Sequence, residues 1–185
     1  QRQMCIRDRL YIARPCQYLT DEQLADCDRK YWSTYRYSET VVASVNEVLE
    51  WTQAQSPSSD RPLGLIGFSG GGTVGALVAV RRTDVHWLFT IAANLDHQFW
   101  AELHGDTPLL HSLNPPSFAP ALNALEQKHL VGGDDEKVPR AVADHYVRQV
   151  GLPAESVLVV NGYDHTCCWQ DLWPETLCNW DPVSC

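Results

Sequence analysis

Ser69 stands between two glycines in the run Gly67-Phe68-Ser69-Gly70-Gly71-Gly72. A serine so flanked, on a sharp turn from an apolar strand into a helix, has the pattern of an activated nucleophile (G-x-S-x-G). The turn strains the serine backbone, and Gly67 and Gly71 supply the lack of side-chain bulk that such a turn demands. The hydroxyl is then lifted clear of the sheet, and the N–H of Gly70 can point at an oxygen that gains negative charge. The run Leu63-Gly64-Leu65-Ile66 supplies the strand and Thr73 to Val80 the helix, closed by Arg81-Arg82 at the negative end of its dipole. Two other readings of the glycines fail. A phosphate loop needs lysine where Thr73 stands, and a dinucleotide loop needs glycine where Ser69 stands.

A serine hydroxyl needs a base to take its proton, and the base needs an acid to hold one tautomer. Downstream, Lys128-His129-Leu130-Val131-Gly132-Gly133-Asp134-Asp135 reads as a strand, a glycine turn and a carboxylate. Pro139 then opens a helix to Val150 with Val142, Tyr146 and Val150 on one face. After it, Ser156 to Val160 is a short strand and Asn161-Gly162-Tyr163-Asp164-His165 its outgoing loop. Acid and histidine thus follow consecutive parallel strands and emerge at the carboxyl edge of the sheet, where Ser69 also sits. Asp135 is favoured over Asp134 by its register with Val138-Pro139, although both could simply cap the helix. Asp96, beyond the next strand, is the alternative acid. The competitors of His165 are His86 and His129 in strands, His145 on a helix face open to water, and His97, His104 and His111 in one long loop. Those three give only a weak metal reading, since no short ligand pair is present.

These residues carry a resemblance. The chain resembles the α/β-hydrolases: Gly67–Gly71 is similar to the family's elbow, Gly132-x-x-Asp135-x-x-Val138-Pro139 to its acid loop, and Gly162-x-x-His165 to its histidine loop. The resemblance implies Ser69 as nucleophile, Asp135 as acid, His165 as base and Gly70 as oxyanion donor. It also implies a mostly parallel sheet with helices on both faces. More narrowly, Ala13-Arg14-Pro15-Cys16-Gln17-Tyr18-Leu19, Asn94-Leu95-Asp96-His97 and His165-Thr166-Cys167-Cys168-Trp169 resemble an uncharacterised bacterial branch associated with the cell envelope.

The usual domain of that family has about eight strands. The pattern here predicts roughly five, beginning near Leu10, Leu63, His86, Lys128 and Ser156. Residues 1–9 fit no strand or helix and read as a non-native scar, which leaves residues 10–185 as one domain lacking its N-terminal strands. The second oxyanion donor, expected after a third strand, is therefore not assigned. At 185 residues and a net charge of −9 the chain can bury one core and has no basic footprint for nucleic acid or anionic membrane. No apolar run is long enough to span a bilayer. No cofactor or metal is expected. Cys16 and Cys27 bracket a polar loop and suit a local disulfide, and Cys178 could bridge to Cys167 or Cys168. Such bridges indicate a periplasmic or other extracytoplasmic location, with reduced thiols in a cytoplasmic protein as the alternative.

Ser38 to Gln55 is a helix covering the sheet, with Val41, Val45, Val48, Leu49 and Thr52 at helical spacing and Pro57 ending the pattern. Tyr31, Trp32, Tyr35 and Tyr37 precede it, as packing beneath a loop or a pocket wall. Residues 94–118 form a long irregular stretch, expected to be a small lid. Phe68, Asn94, Asp96 and His97 are candidates for substrate contact. Trp169, Leu172, Trp173, Leu177 and Trp180 space a last sheet-packing helix. The resulting expectation is a serine hydrolase of carboxylic esters or related small acyl compounds. An acyltransferase or peptidase with the same triad is the alternative. A non-catalytic envelope or binding protein is the alternative of another class. Oligomeric state has no signature.

Overall fold

The apolar runs become four strands that pair in chain order, every pairing parallel: β1 Leu63–Phe68, β2 Val85–Ile91, β3 Glu126–Gly132 and β4 Val157–Val160. The computed structural model describes residues 10–55 and 62–180, the last helix without the side chains of 173, 174, 177, 178 and 180. The proposed scar at 1–9, the Pro57 stop, Cys185 and the side chains of Trp173, Leu177, Cys178 and Trp180 lie outside the described residues.

The helices are α1 Asp21–Leu24, α2 Glu39–Gln55, α3 Gly70–Ala79, α4 His97–His104, α5 Ala119–Asn123, α6 Arg140–Val150 and α7 Trp169–Trp180. Parallel neighbours need a crossover, and α3 and α6 provide those of β1–β2 and β3–β4. The strand expected near Leu10 does not form. Residues 10–12 pair with no strand, Leu10 and Tyr11 are 48% and 85% exposed, and only Ile12 packs on the core. So short an apolar stretch offers too little burial and too few ladder bonds to hold an edge.

Strand alternation sorts the core. Leu65 and Leu88 face α3, where Tyr37, Val41, Val42, Val74 and Leu77 form one cluster and Leu95, Leu122, Tyr146 and Val147 continue it under α6. Each fully buried Leu or Val contributes roughly 1.5–3 kcal/mol. Phe89, Ile91 and Leu130 face the other side, where Trp169 of α7 covers them. Val48 is an exception on α2, 42% exposed despite its spacing. The arginines ending α3 do more than meet its dipole. Arg81 pairs with Glu39 at 2.6 Å, and Arg82 pairs with Asp84 at 2.6 Å while its guanidinium also reaches Asn46 and Gln53, clamping α3 to α2.

Two disulfides are present among the described residues, Cys16–Cys27 as expected and Cys167–Cys168. The second corrects the expected bridge to Cys178, because the adjacent cysteines bond to each other. No described helix is long and apolar enough to cross a membrane.

Candidate active site

The turn after β1 carries Ser69 at φ 49° and ψ −124°, a conformation that costs a non-glycine residue on the order of 1–3 kcal/mol. The surroundings hold it: Ser69 N–H donates to the Ile91 carbonyl at 2.9 Å, and Gly72 N–H to the Ser69 carbonyl at 3.0 Å. A Cβ on Gly67 would meet Gly72 Cα at 2.4 Å, and one on Gly72 would meet Ala93 Cβ at 2.4 Å. Around Gly71 there is open space. The expected steric role of Gly71 is thus corrected: the backbones of Gly71 and Gly72 both close on Gly67, but only at Gly72 would a side chain itself meet a neighbour.

The acid and histidine loops are sewn together. Gly133 N–H donates to the Val160 carbonyl at 2.8 Å and Asp134 N–H to the Tyr163 carbonyl at 3.0 Å. Their approach leaves no room at Gly132, where a Cβ would meet Tyr163 O at 2.2 Å. Asp134 therefore spends its backbone on this seam, and Asp135 turns inward with its side chain fully buried. Its Oδ1 accepts from the N–H groups of Lys137 at 2.9 Å and Val138 at 2.8 Å. Its Oδ2 lies 2.8 Å from His165 Nδ1, and His165 Nε2 lies 3.0 Å from Ser69 Oγ. An ionised carboxylate can only accept, so Nδ1 carries the proton and Nε2 is free to receive that of the serine.

His165 is held on both sides. Before it, Asp164 accepts from the N–H groups of Thr166 and Cys167, each at 2.7 Å, and these bonds hold its carboxyl below the ordinary value. Phe68 packs at 5.4 Å from the imidazole, ring centre to ring centre. Of the residues expected to touch substrate, Phe68 alone is exposed, at 46%, beside this relay.

Asn94, Asp96 and His97 are buried instead at the root of the 94–118 segment. Asp96 is no acid for His165. One oxygen caps α4 through Phe99 N–H at 3.1 Å and accepts from Asn114 at 2.8 Å, and the other faces His145 Nδ1 at 2.8 Å. His145 thus leaves the solvated role expected of it and stacks on Phe99 at 4.1 Å. His97 Nε2 lies 3.1 Å from the Leu113 carbonyl, and burial lowers the pKa of its ring. The segment itself is less irregular than expected, since Asp96 and Gly105, at φ 66°, are start and stop signals for α4. It is tied down by Trp100 donating to the Lys137 carbonyl at 2.6 Å and by Leu113 N–H donating to the Tyr37 carbonyl at 3.0 Å. His104 lies against Trp100 and His111 against Tyr35, so the three loop histidines do not converge. Among the described residues no cluster of His, Cys, Asp and Glu is suited to a metal ion. His86 is exposed on β2, and His129 is fully buried on β3.

Arg14 is the residue that sequence reasoning passed over. Its guanidinium lies beside Gly70 together with the hydroxyl of Tyr37, far from both in sequence. The pairing of Cys16 with Cys27 was the available sign that this turn is built to a fixed shape.

No family model and no curated protein matches the sequence. Solved structures do match. An acetyl xylan esterase from Paenibacillus sp. R4 aligns at a TM-score of 0.60 and 14% identity, over 77% of this chain and 52% of that one. An α/β hydrolase enzyme from the metagenome of sediments of the Mar Chica lagoon, Morocco, aligns at 0.57 and 16%, over 77% and 70%. An esterase of Pyrococcus furiosus aligns at 0.56 and 12%, over 80% and 61%. The chain spans about three-fifths of the length of two such structures, 61% of each. With helices on both faces of a parallel sheet and a serine turn after β1, the chain has the α/β-hydrolase fold.

Proposed function

We propose that the protein is a serine hydrolase that cleaves a carboxylic ester, or a similar small acyl compound, through an acyl-enzyme. The carrying observation is the unbroken chain of contacts from Asp135 through His165 to Ser69, at 2.8 and 3.0 Å. His165 Nε2 takes the hydroxyl proton as Ser69 Oγ attacks the acyl carbon, and Asp135 steadies the imidazolium. The carbonyl oxygen, now negative, accepts from Gly70 N–H, which as the first amide of α3 has no acceptor within the helix. Collapse expels the alkoxide with the proton from His165. Water, deprotonated by His165 in turn, then releases the acid and restores the serine.

The fold is shared with esterases, which agrees with an ester substrate, and with a puromycin hydrolase, which keeps the peptidase alternative open. Phe68 and the 94–118 segment would wall the acyl side, the segment acting as a fixed cap. The Cys16–Cys27 bridge supports an extracytoplasmic location. The reading is tested with a fluorophosphonate probe and p-nitrophenyl acetate. Wild-type protein is expected to be labelled and to turn over the ester, and Ser69→Ala to do neither. Labelling or turnover that survives Ser69→Ala ends the assignment.

A further inference from the structure

Arg14 opens the turn Arg14-Pro15-Cys16-Gln17, closed by Gln17 N–H donating to the Arg14 carbonyl at 3.1 Å. Proline at the second position and φ 62° at Cys16 are the features of a type II turn. The turn is fastened twice more: Cys16 is bonded to Cys27, and its carbonyl accepts from the Trp32 indole at 2.7 Å. What this fixed turn presents is a cation. Arg14 Nη1 and Cζ lie 3.1 and 3.2 Å from the point a Cβ on Gly70 would occupy, and the Tyr37 hydroxyl lies 2.9 Å from it.

The guanidinium is half-buried, 5.8 Å over the Tyr37 ring, and has no carboxylate or hydrogen-bond partner among the described residues. Burial holds its pKa below the ordinary value, and Arg36 nearby, of the same sign, adds to the lowering. Withdrawing a cation from water without a counter-charge is costly, so the arrangement is satisfied when an anion arrives. An amide nitrogen lies about 2.5 Å from its own residue's Cβ position. Arg14 Nη1 is therefore within about 5.6 Å of Gly70 N, and two hydrogen bonds of about 2.9 Å converge on one oxygen from donors up to about 5.8 Å apart.

We propose that the Arg14 guanidinium, steadied by Tyr37, is a further oxyanion donor, a charged side chain working beside the Gly70 amide. The inference rests on the serine-hydrolase reading above. As Ser69 Oγ bonds to the acyl carbon, the carbonyl π pair moves to oxygen and faces the guanidinium. When the leaving alkoxide departs, that pair re-forms the double bond. Arg14 is neither protonated nor consumed. Because the charge appears only in the transition state, Arg14 acts on kcat rather than on substrate affinity.

The test uses p-nitrophenyl acetate, which is neutral, with wild type, Arg14→Ala, Arg14→Lys and Tyr37→Phe. Arg14→Ala is expected to lower kcat by about 10²–10³ with KM within threefold. Guanidinium chloride at tens of millimolar, against a sodium chloride control, is expected to restore at least tenfold of the loss, which a merely structural role would not allow. Tyr37→Phe, which keeps the ring, is expected to lower kcat about tenfold or less. Unchanged kcat in Arg14→Ala overturns the proposal, as does a loss that guanidinium leaves unrestored in a protein with wild-type circular dichroism. A rise in KM confined to carboxylate-bearing esters also overturns it, in favour of Arg14 as an anchor for substrate charge. Wild-type turnover that Ser69→Ala abolishes, alongside an indifferent Arg14→Ala, sinks this inference and leaves the triad standing. Turnover surviving Ser69→Ala sinks both.

Discussion

Asp135 serves two masters, the imidazole through one oxygen and the backbone leading into α6 through the other. The two roles separate in mutants. Asp135→Asn keeps an acceptor for Lys137 and Val138, yet its amide presents N–H to His165 and favours the wrong tautomer. The expected result is a kcat about 10⁴-fold lower with little change in stability, read by steady-state kinetics and thermal unfolding. Asp135→Ala also strands the buried amide of Val138, at about 1–3 kcal/mol, and the partly buried one of Lys137, and should melt measurably earlier. Register with Val138-Pro139 favoured Asp135 over Asp134, and it is the Asp135 carboxylate that lies 2.8 Å from His165. The fate of Asp96 and His145 was not. They meet across 49 residues, and only the docking of α4 on α6 brings them within 2.8 Å. Arg14 was hidden for a related reason, since nothing local says that a turn so early in the chain will lie against α3.

Strands and helices with a clear period emerged where the pattern put them, α2 and α6 within a residue or two. What the pattern could not weigh was competition for pairing, so the apolar residues near Leu10 suggested a strand that the ladder does not contain. Likewise a glycine motif names positions without saying which of them closes a contact. Gly72→Ala should cost about 1–3 kcal/mol by driving α3 from Ala93, just beyond β2, comparable to overpacking a core. Gly71→Ala, facing open space in a helix, should be neutral or stabilise by up to about 1 kcal/mol. Urea titration of the two variants distinguishes them, and equal effects would contradict the geometry. The clamp at the far end of α3 is testable in the same way. Arg82→Ala leaves Asp84 and Gln53 without their shared partner and should cost about 2 kcal/mol, less than a fully buried pair because Asp84 is 36% exposed.

The protein as a body carries an acid sensitivity unrelated to the triad. His129 is wholly buried, its Nδ1 2.9 Å from the Thr90 hydroxyl and its edge on Tyr146, and burial together with Lys128 lowers its pKa to about 3. Unfolded, the same ring titrates near 6.5. The unfolded chain therefore takes up the proton first. Stability is whole above about pH 6.5 and falls by up to roughly 1.4 kcal/mol per pH unit as pH drops toward 3. Chemical denaturation at pH 7 and pH 4.5 should show the fall. His129→Leu should lose about 1 kcal/mol at pH 7 for the Thr90 contact, yet decline less steeply in acid.

The joining of the two loops beyond β3 and β4 has a mechanical corollary. The Asp135 carboxylate and the His165 imidazole ride on one welded block, whereas Ser69 belongs to another, rooted in β1 and α3. Flexing of the sheet across β2 leaves the Asp135–His165 spacing alone and is taken up almost wholly in the interval between His165 and Ser69. Under the proposed mechanism the proton's route would have a single joint, at the step where the hydroxyl is awakened.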